Sequence, residues 1–385
     1  KSQLSLVTTE SMPKAGNLSD LIALLGRRDE PTDALRDYCA RLDEGLRAHG
    51  ATLAPAECLW DRDGWLMSLI KFCKASASWK GRWVLLQYTA LMWSRRGFPI
   101  MVLVLLGILR LRKCRTAVVF HDVYAVPGRG WFDRLPGAFQ HGIMRSAYHW
   151  SDRSIVPIPL EIASWLPRNA SKASFIPVGA NVPSLQDLLR EGFAAHSAAH
   201  LRIAAFGISS WPAAQKQEIE AIVYSVKQAC AKVGDLSLVV VGRGAKEAES
   251  ALREGLADTR VNLTVDGLLN SWDVSTRLCA SDVLLFVRGP LSSRRGSGLA
   301  GIACELPMVA YEGRETGFPL TEAGILFVPQ NDLRSLANQL TKVLSDADLR
   351  RDLRARNRTV FREWYSWDRI ATRLVQALSS ASGVF

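Results

Sequence analysis

Short apolar runs alternate with amphipathic stretches along nearly the whole chain. Residues 82–89 (RWVLLQYT), 115–120 (RTAVVF), 201–207 (LRIAAFG), 236–242 (LSLVVVG) and 261–266 (VNLTVD) read as strands, and so do 281–288, 306–310 and 324–328. Each is brief, rich in Val, Leu or Ile, and bounded by turn-forming residues. Residues 33–49 place Leu35, Tyr38, Leu42 and Leu46 at helical spacing and stop at Gly50. Further helices are predicted at 139–148, 216–233, 243–256, 271–280 and 332–344, with a strongly basic one at 350–358. Nearer the start, 4–9 (LSLVTT) reads as a strand, 13–17 as a turn and 18–25 as a helix. Residues 60–82 are basic and Trp-rich and follow no clear pattern. Residues 150–157 read as a strand, and 174–183 as a strand followed by a turn with Pro and Gly. The alternation predicts an α/β protein with two doubly wound domains. The expected division is 1–185, a polar linker at 186–200, a second domain at 201–365 and a terminal segment at 366–385.

Composition narrows the class. At 385 residues, two domains are expected. The formal net charge of +11 favours anionic partners: nucleotides, nucleic acid or an anionic membrane surface. No recognised nucleic-acid motif accompanies that charge, so nucleic acid is not the expected partner. The seven cysteines are scattered and form no CxxC, which argues against a disulfide framework or a zinc ribbon. With no secretory pattern at the start, a cytoplasmic location is expected. Residues 98–109 (FPIMVLVLLGIL) are almost purely apolar, but spanning a bilayer takes about 20 residues. This segment reads as a buried helix, or as a face resting on anionic lipid with its flanking arginines at headgroup level.

Three places carry candidate chemistry. Residues 281–315 form a βαβ unit whose turn holds Arg294, Arg295 and Gly296. At the helix start the amides of Ser297, Gly298 and Leu299 are expected to point at an anion, and the two arginines can fork onto phosphate oxygens. This turn is read as a diphosphate cradle. His121 follows a strand and is expected in the crevice at a sheet's carboxyl edge, where ligands bind. Gly16 lies in a first loop expected to face ligand. Asp61-Arg62-Asp63 is a DxD triplet with no clear strand before it, a weak metal signal, and no metal is assigned. His196 and His200 are four apart without an HExxH pattern and read as linker.

Taken in order, these landmarks resemble a GT-B glycosyltransferase of the retaining family 4. Phe206-Gly207 followed by Lys216 resembles the first strand of its nucleotide domain and a phosphate-reaching lysine. Residues 238–244 (LVVVGRG) resemble the next strand and glycine turn, which includes Arg243, and Gly267-Leu268 the loop that meets the base. Residues 306–310 (LPMVA), 328–332 (VPQND), 365–368 (YSWD) and 175–180 (FIPVGA) match the family's phrasing. The resemblance covers 203–373 well and the first half loosely. It implies two Rossmann-like domains facing a cleft, with the last helix crossing back to the first. The donor would be a nucleoside diphosphate-sugar held by Lys216, Arg294, Arg295 and the helix amides, with no metal or cofactor. The basic, apolar segment around Phe98, separately from the resemblance, suggests a glycan or lipid-linked acceptor hydroxyl at the inner membrane face.

One departure matters. Many members of the family carry two glutamates across the cradle, at positions that correspond here to Ser292 and Ala300. A subgroup carries Arg-Arg-Gly-Ser and a downstream Gly-x-Glu-Thr, as this chain does at 294–297 and 313–316. The resemblance therefore implies Glu315, or else Glu312, in part of the missing role, with His121 as the second catalytic residue. Alternatives are a catalytically silent nucleotide- or partner-binding module and a nucleotide-sugar epimerase.

Overall fold

A computed structural model of the chain describes residues 18–28, 33–123, 134–194 and 200–380. The strand expected at 4–9, the turn at 13–17, Gly16 and His196 lie outside the described residues.

The first half forms a six-stranded parallel sheet in the order β2-β1-β3-β4-β5-β6. Its elements are β1 (Asp20–Leu25), α1 (Ala34–Arg47), β2 (Thr52–Glu57), α2 (Trp60–Asp63), α3 (Trp65–Ala75), β3 (Trp83–Tyr88), α4 (Ala90–Trp93), α5 (Met101–Leu111), β4 (Arg115–Phe120), α6 (Arg134–Trp150), β5 (Arg153–Val156) and β6 (Ala173–Phe175). The second half begins with α7 (Leu185–Arg190), then β7 (Leu201–Phe206), α8 (Pro212–Val233), β8 (Leu236–Val241), α9 (Ala245–Leu256), β9 (Val261–Val265), α10 (Ser271–Cys279) and β10 (Val283–Phe286). It continues through α11 (Gly296–Ala303), β11 (Met308–Tyr311), β12 (Ile325–Val328), α12 (Leu333–Ser345) and α13 (Ala347–Val360). A π-turn at Phe361–Tyr365 leads to α14 (Trp367–Ser379). Its parallel sheet runs β12-β11-β10-β7-β8-β9.

Both sheets are covered on both faces, which is why their strands read as near-continuous apolar runs. That same feature misleads at residues 18–25. The expected helix is the central strand β1, with Leu21 to Leu25 all buried between β2 and β3. A fully buried strand and a buried helical turn share one apolar run, so periodicity cannot separate them. Edge strand β2 shows no strong run and carries Pro55, tolerated because it is an edge. Residues 60–82 become α2, α3 and a 3₁₀ turn, whose helices bury few residues and so lack a marked apolar stripe.

Connections in a parallel sheet are right-handed, so the direction of each crossover decides its face. The step from β1 to β2 runs one way, placing α1 on one face. The steps β2 to β3, β3 to β4 and β4 to β5 run the other way and place α3, α5 and α6 side by side on the opposite face. Residues 98–109 mostly become α5, whose Val102, Leu105, Leu106 and Leu109 face the sheet. Among the described residues no helix is long and apolar enough to cross a membrane.

The two halves are tied by the end of the chain. Helix α14 leaves the second half and packs on α1, adding Ile370, Ala371, Leu374 and Leu378 to the first core. Trp367 Nε1 donates to Ala180 O at 2.9 Å, and Val178 N donates to Ser293 O at 3.0 Å. The α1–α14 crossing is close at Gly45, where an added Cβ would lie 2.7 Å from Trp367 O. In an open helix Gly→Ala stabilises by roughly 0.5–1 kcal/mol. Here Gly45→Ala is expected to destabilise by about 1–3 kcal/mol through overpacking. The urea midpoint of the variant, measured against the parent, checks the reversed sign.

Candidate active site

Each sheet reverses its strand order once, and ligands bind outside the carboxyl ends of strands at such a point. In the second sheet the reversal lies between β7 and β10. A cleft of about 580 Å³ opens there, lined by Ser209, Glu218, Arg288, Arg295, Tyr311 and Gln330 among others. A smaller cavity of about 260 Å³ adjoins it, sharing Arg295 and Gln330 and lined also by Gly313, Arg314 and Glu315.

Strand β7 ends in Gly207, whose φ of +74° turns the chain sharply. A Cβ at Gly207 would come 3.0 Å from Arg288 Nη1, so glycine leaves the space that Arg288 occupies. The loop beyond is anchored by Glu218, buried in α8, whose Oε2 accepts from Ser209 N at 2.6 Å. Burial raises the Glu218 pKa, opposed by the Ser209 amide, Arg288 and Arg295. Arg295 Nη1 donates to Arg288 O at 2.6 Å, closing the loop after β10 on itself. Burial lowers the Arg295 pKa, as does the neighbouring Arg294.

The cradle differs from expectation in its amides. Gly298 N and Leu299 N both donate to Arg295 O, at 2.9 and 3.1 Å, because they are the third and fourth residues of α11 and already sit in its first turn. The amides with no protein acceptor among the described residues are those of Gly296 and Ser297. Arg294 also differs. Its Nε and Nη2 fork onto Glu315 Oε2 and Oε1 at 2.7 and 2.9 Å, so the expected phosphate ligand is paired with the expected catalytic carboxylate. Burial pushes Glu315 up, but the Arg294 hydrogen bond and charge, with Ser292 and Arg295, hold it below the usual range. Glu312 is exposed and does not line the cleft.

Facing these groups from the first half are His121 and Asp122, just past β4. The Gln87 amide donates to Leu85 O, so its Oε1 accepts from His121 Nε2 at 2.8 Å. That pairing leaves His121 Nδ1 as an acceptor. Burial lowers the imidazole pKa to about 4, so the ring is neutral at pH 7. Asp122 Oδ2 accepts from Ala90 N at 2.9 Å. Burial raises its pKa, against the Ala90 amide and the Arg294 charge reaching across from the other half. The Tyr38 ring stands edge-on to His121 at 5.0 Å and to Trp367 at 5.4 Å, linking the returning helix to the cleft histidine.

Several expected contacts lie elsewhere. Lys216 is exposed on α8 and does not line the cleft, because the helix starts at Pro212 and turns Ala214, Gln217 and Glu218 toward it instead. Arg243 is exposed, and its carbonyl accepts from Ile208 N. Gly267 O accepts from Gly242 N, and Leu268 projects into solvent at the end of β9, two strands from the reversal. Asp61 and Asp63 sit on the one-turn helix α2, with Asp63 held by Lys71 at 2.6 Å. Among the described residues no group of three or more His, Cys, Asp or Glu is placed to hold a metal ion. Sequence reading missed Arg288, Glu218 and Asp122. Arg288 had a usable signal, a cation at the carboxyl end of a core strand, whereas Glu218 looked like any helix residue.

Comparison with known proteins agrees with this architecture. No family model matches the chain. A 169-residue stretch is 28% identical to a GDP-mannose-dependent monoacylated alpha-(1-6)-phosphatidylinositol monomannoside mannosyltransferase of Corynebacterium glutamicum, covering 42% of this chain and 43% of that protein. The fold matches Anabaena HepE in complex with UDP and glucose at a TM-score of 0.60, with 13% identity over 94% of this chain and all of that one. It matches sucrose-phosphate synthase of Thermosynechococcus elongatus at 0.65, with 17% identity over 94% of this chain and 98% of that one. The chain has the GT-B glycosyltransferase fold, two Rossmann-like halves meeting at a cleft.

The half-buried His121 has a pH signature. An unfolded histidine titrates near 6.5 and this one near 4, so its contribution to stability is complete above pH 6.5 and is lost as the pH falls through about 4. Between those limits the urea midpoint of the parent is expected to fall more steeply than that of His121→Asn. Parallel pH profiles for the two proteins would contradict the assignment.

Proposed function

We propose that the protein transfers a sugar, with retention, from a nucleoside diphosphate-sugar to an acceptor hydroxyl, using protein cations instead of a metal to hold the diphosphate. The observation carrying this reading is that Arg288 and Arg295 line one cleft at the strand-order reversal, with α11 beginning at the residue after Arg295. As the glycosidic bond breaks, negative charge builds on the leaving diphosphate. Fixed cations and a helix N-terminus stabilise that charge more in the transition state than in the ground state. The adjoining cavity beside Glu315 takes the sugar. Glu315 is ionised, oriented by Arg294, and lies beside Ser292, where the family's first glutamate would stand. The neutral His121, with Nδ1 unprotonated, orients a hydroxyl by accepting its hydrogen bond. The similar C. glutamicum protein is named for a phosphatidylinositol mannoside acceptor, and we extend that class, a lipid-borne glycan, to this chain.

Ser292 and Ala300 in place of the glutamate pair favour a second reading, a module that binds nucleotide without turnover. A thermal-shift panel of nucleoside diphosphates and their sugars, followed by nucleotide release with lipid-linked acceptors, separates the two. Arg288→Ala and Arg295→Ala are expected to abolish stabilisation by the preferred nucleotide, while Lys216→Ala keeps it. Glu315→Gln is expected to keep the shift and slow nucleotide release by roughly a hundredfold or more. A full shift in Arg295→Ala would remove that residue from the diphosphate.

A further inference from the structure

Apart from Arg110 in its last turn, helix α5 is apolar on all sides, and such a helix is normally buried all round. Here only one side meets the sheet. Its outer side presents Val104 and Leu111, the latter 85% exposed, and Phe98 and Ile100 stand exposed just before it. Beside it α3 buries only Ser68 and Phe72 and turns Leu66, 76% exposed, Met67 and Ile70 to solvent. The two helices adjoin: Arg112 Nη2 donates to Cys73 O at 3.4 Å, and a groove of about 610 Å³ lies between α3 and Arg112. On the far flank Phe98 packs on Phe139 of α6, ring to ring at 5.3 Å. Among the described residues, the outer side of α3 and α5 is therefore an uncovered apolar face, flanked by Phe139.

Its charge names the occupant. From Gly64 to Phe120 the sequence has ten Lys and Arg and no Asp or Glu. Lys74, Arg95, Arg96, Arg110, Arg112 and Lys113 are all exposed around the apolar residues. A protein interface of this size would be expected to include both signs of charge or few charges at its centre. Apolar side chains inside a rim of one sign fit a surface that is apolar in depth and anionic at its edge. We propose that α3, α5 and Phe139 of α6 form a face that docks on an anionic lipid bilayer, lying in the interface without crossing it. Both α3 and α5 begin at the carboxyl edge of the sheet, so Leu66, Phe98 and Ile100 stand on the cleft side. A docked molecule holds its cleft next to the headgroups. That last consequence rests on the transferase reading, whereas binding to lipid does not.

The test is flotation of the whole chain with phosphatidylcholine vesicles, with and without phosphatidylglycerol as a minority lipid. Binding is expected only to the anionic vesicles and is expected to weaken with salt. Arg96→Gln and Arg110→Gln are each expected to lower the partition coefficient about fivefold. Leu66→Ser combined with Ile70→Ser is expected to lower it roughly tenfold or more. All four positions are exposed, so the thermal midpoint and any nucleotide-induced shift should be unchanged, which separates loss of docking from loss of the donor site. No flotation, equal flotation with both vesicles, or variants that float like the parent would overturn the proposal. So would a dimer in sedimentation that these substitutions dissolve while vesicles remain unbound, which assigns the face to a second copy.

Discussion

Arg288 and Arg295 line one crevice of the second half, Arg294 lies close enough to act on Arg295, and the repulsion among these guanidinium groups is the constraint that shapes the site. Arg294 and Arg288 both act to lower the pKa of Arg295, on top of its burial. Two carboxylates offset them. Glu218, drawn in from α8, acts on Arg288 and Arg295, and Glu315, from the loop after β11, takes Arg294 in a two-point clasp. Within this half the balance leaves one positive charge in excess, together with the open end of α11. That remainder suits an anion entering from outside better than a rigidly neutral pocket would. The same balance explains why the carboxylate nearest the proposed sugar site stays ionised although it is half-buried.

The cradle is only half of the cleft, and its other wall is positioned through the chain terminus. Helix α14 packs on α1, and Trp367 at its start touches Tyr38, which in turn holds the His121 ring. Trp367 also donates to Ala180, beside the segment whose Val178 bonds to Ser293 in the cradle loop. Packing at the crossing thus fixes both walls at once. Asp122 registers the result electrostatically, since a cation from the opposite half acts on its carboxyl. A neutral imidazole and a paired carboxylate facing a cationic cleft are consistent with the donor proposed above, whose leaving group is charged.

The fold class was legible because burial on both faces writes itself into a parallel strand as an uninterrupted apolar run, and because turn residues punctuate it. β4 at Arg115–Phe120 and β7 at Leu201–Phe206 are seen directly in the sequence. The same logic failed at β1, where five apolar residues in a row fit a helix as well. It failed at β2 and α3 because an edge strand and a sparsely buried helix carry little periodic signal. In the site, the arginine-rich turn and His121 stood out by composition and position. Of the amides that remain open, Ser297 was expected and Gly296 was not, while those of Gly298 and Leu299 are taken up in the first turn of α11, because the open set depends on where that helix begins.

The amino-acid order by itself determined which residues could bear charge, where strands and turns fall, and that a cation-rich turn precedes a small-residue helix. Only the tertiary structure decided which of those charges meet. Lys216 and Arg243 carry suitable chemistry yet are exposed and do not line the cleft, while Glu218 and Arg288, unremarked in the sequence, do line it. The reason is that helical phase and strand order set direction, and neither is encoded at the residue that is turned. Pairing of Arg294 with Glu315 spans 21 positions of chain and exists because β10 and β11 lie side by side.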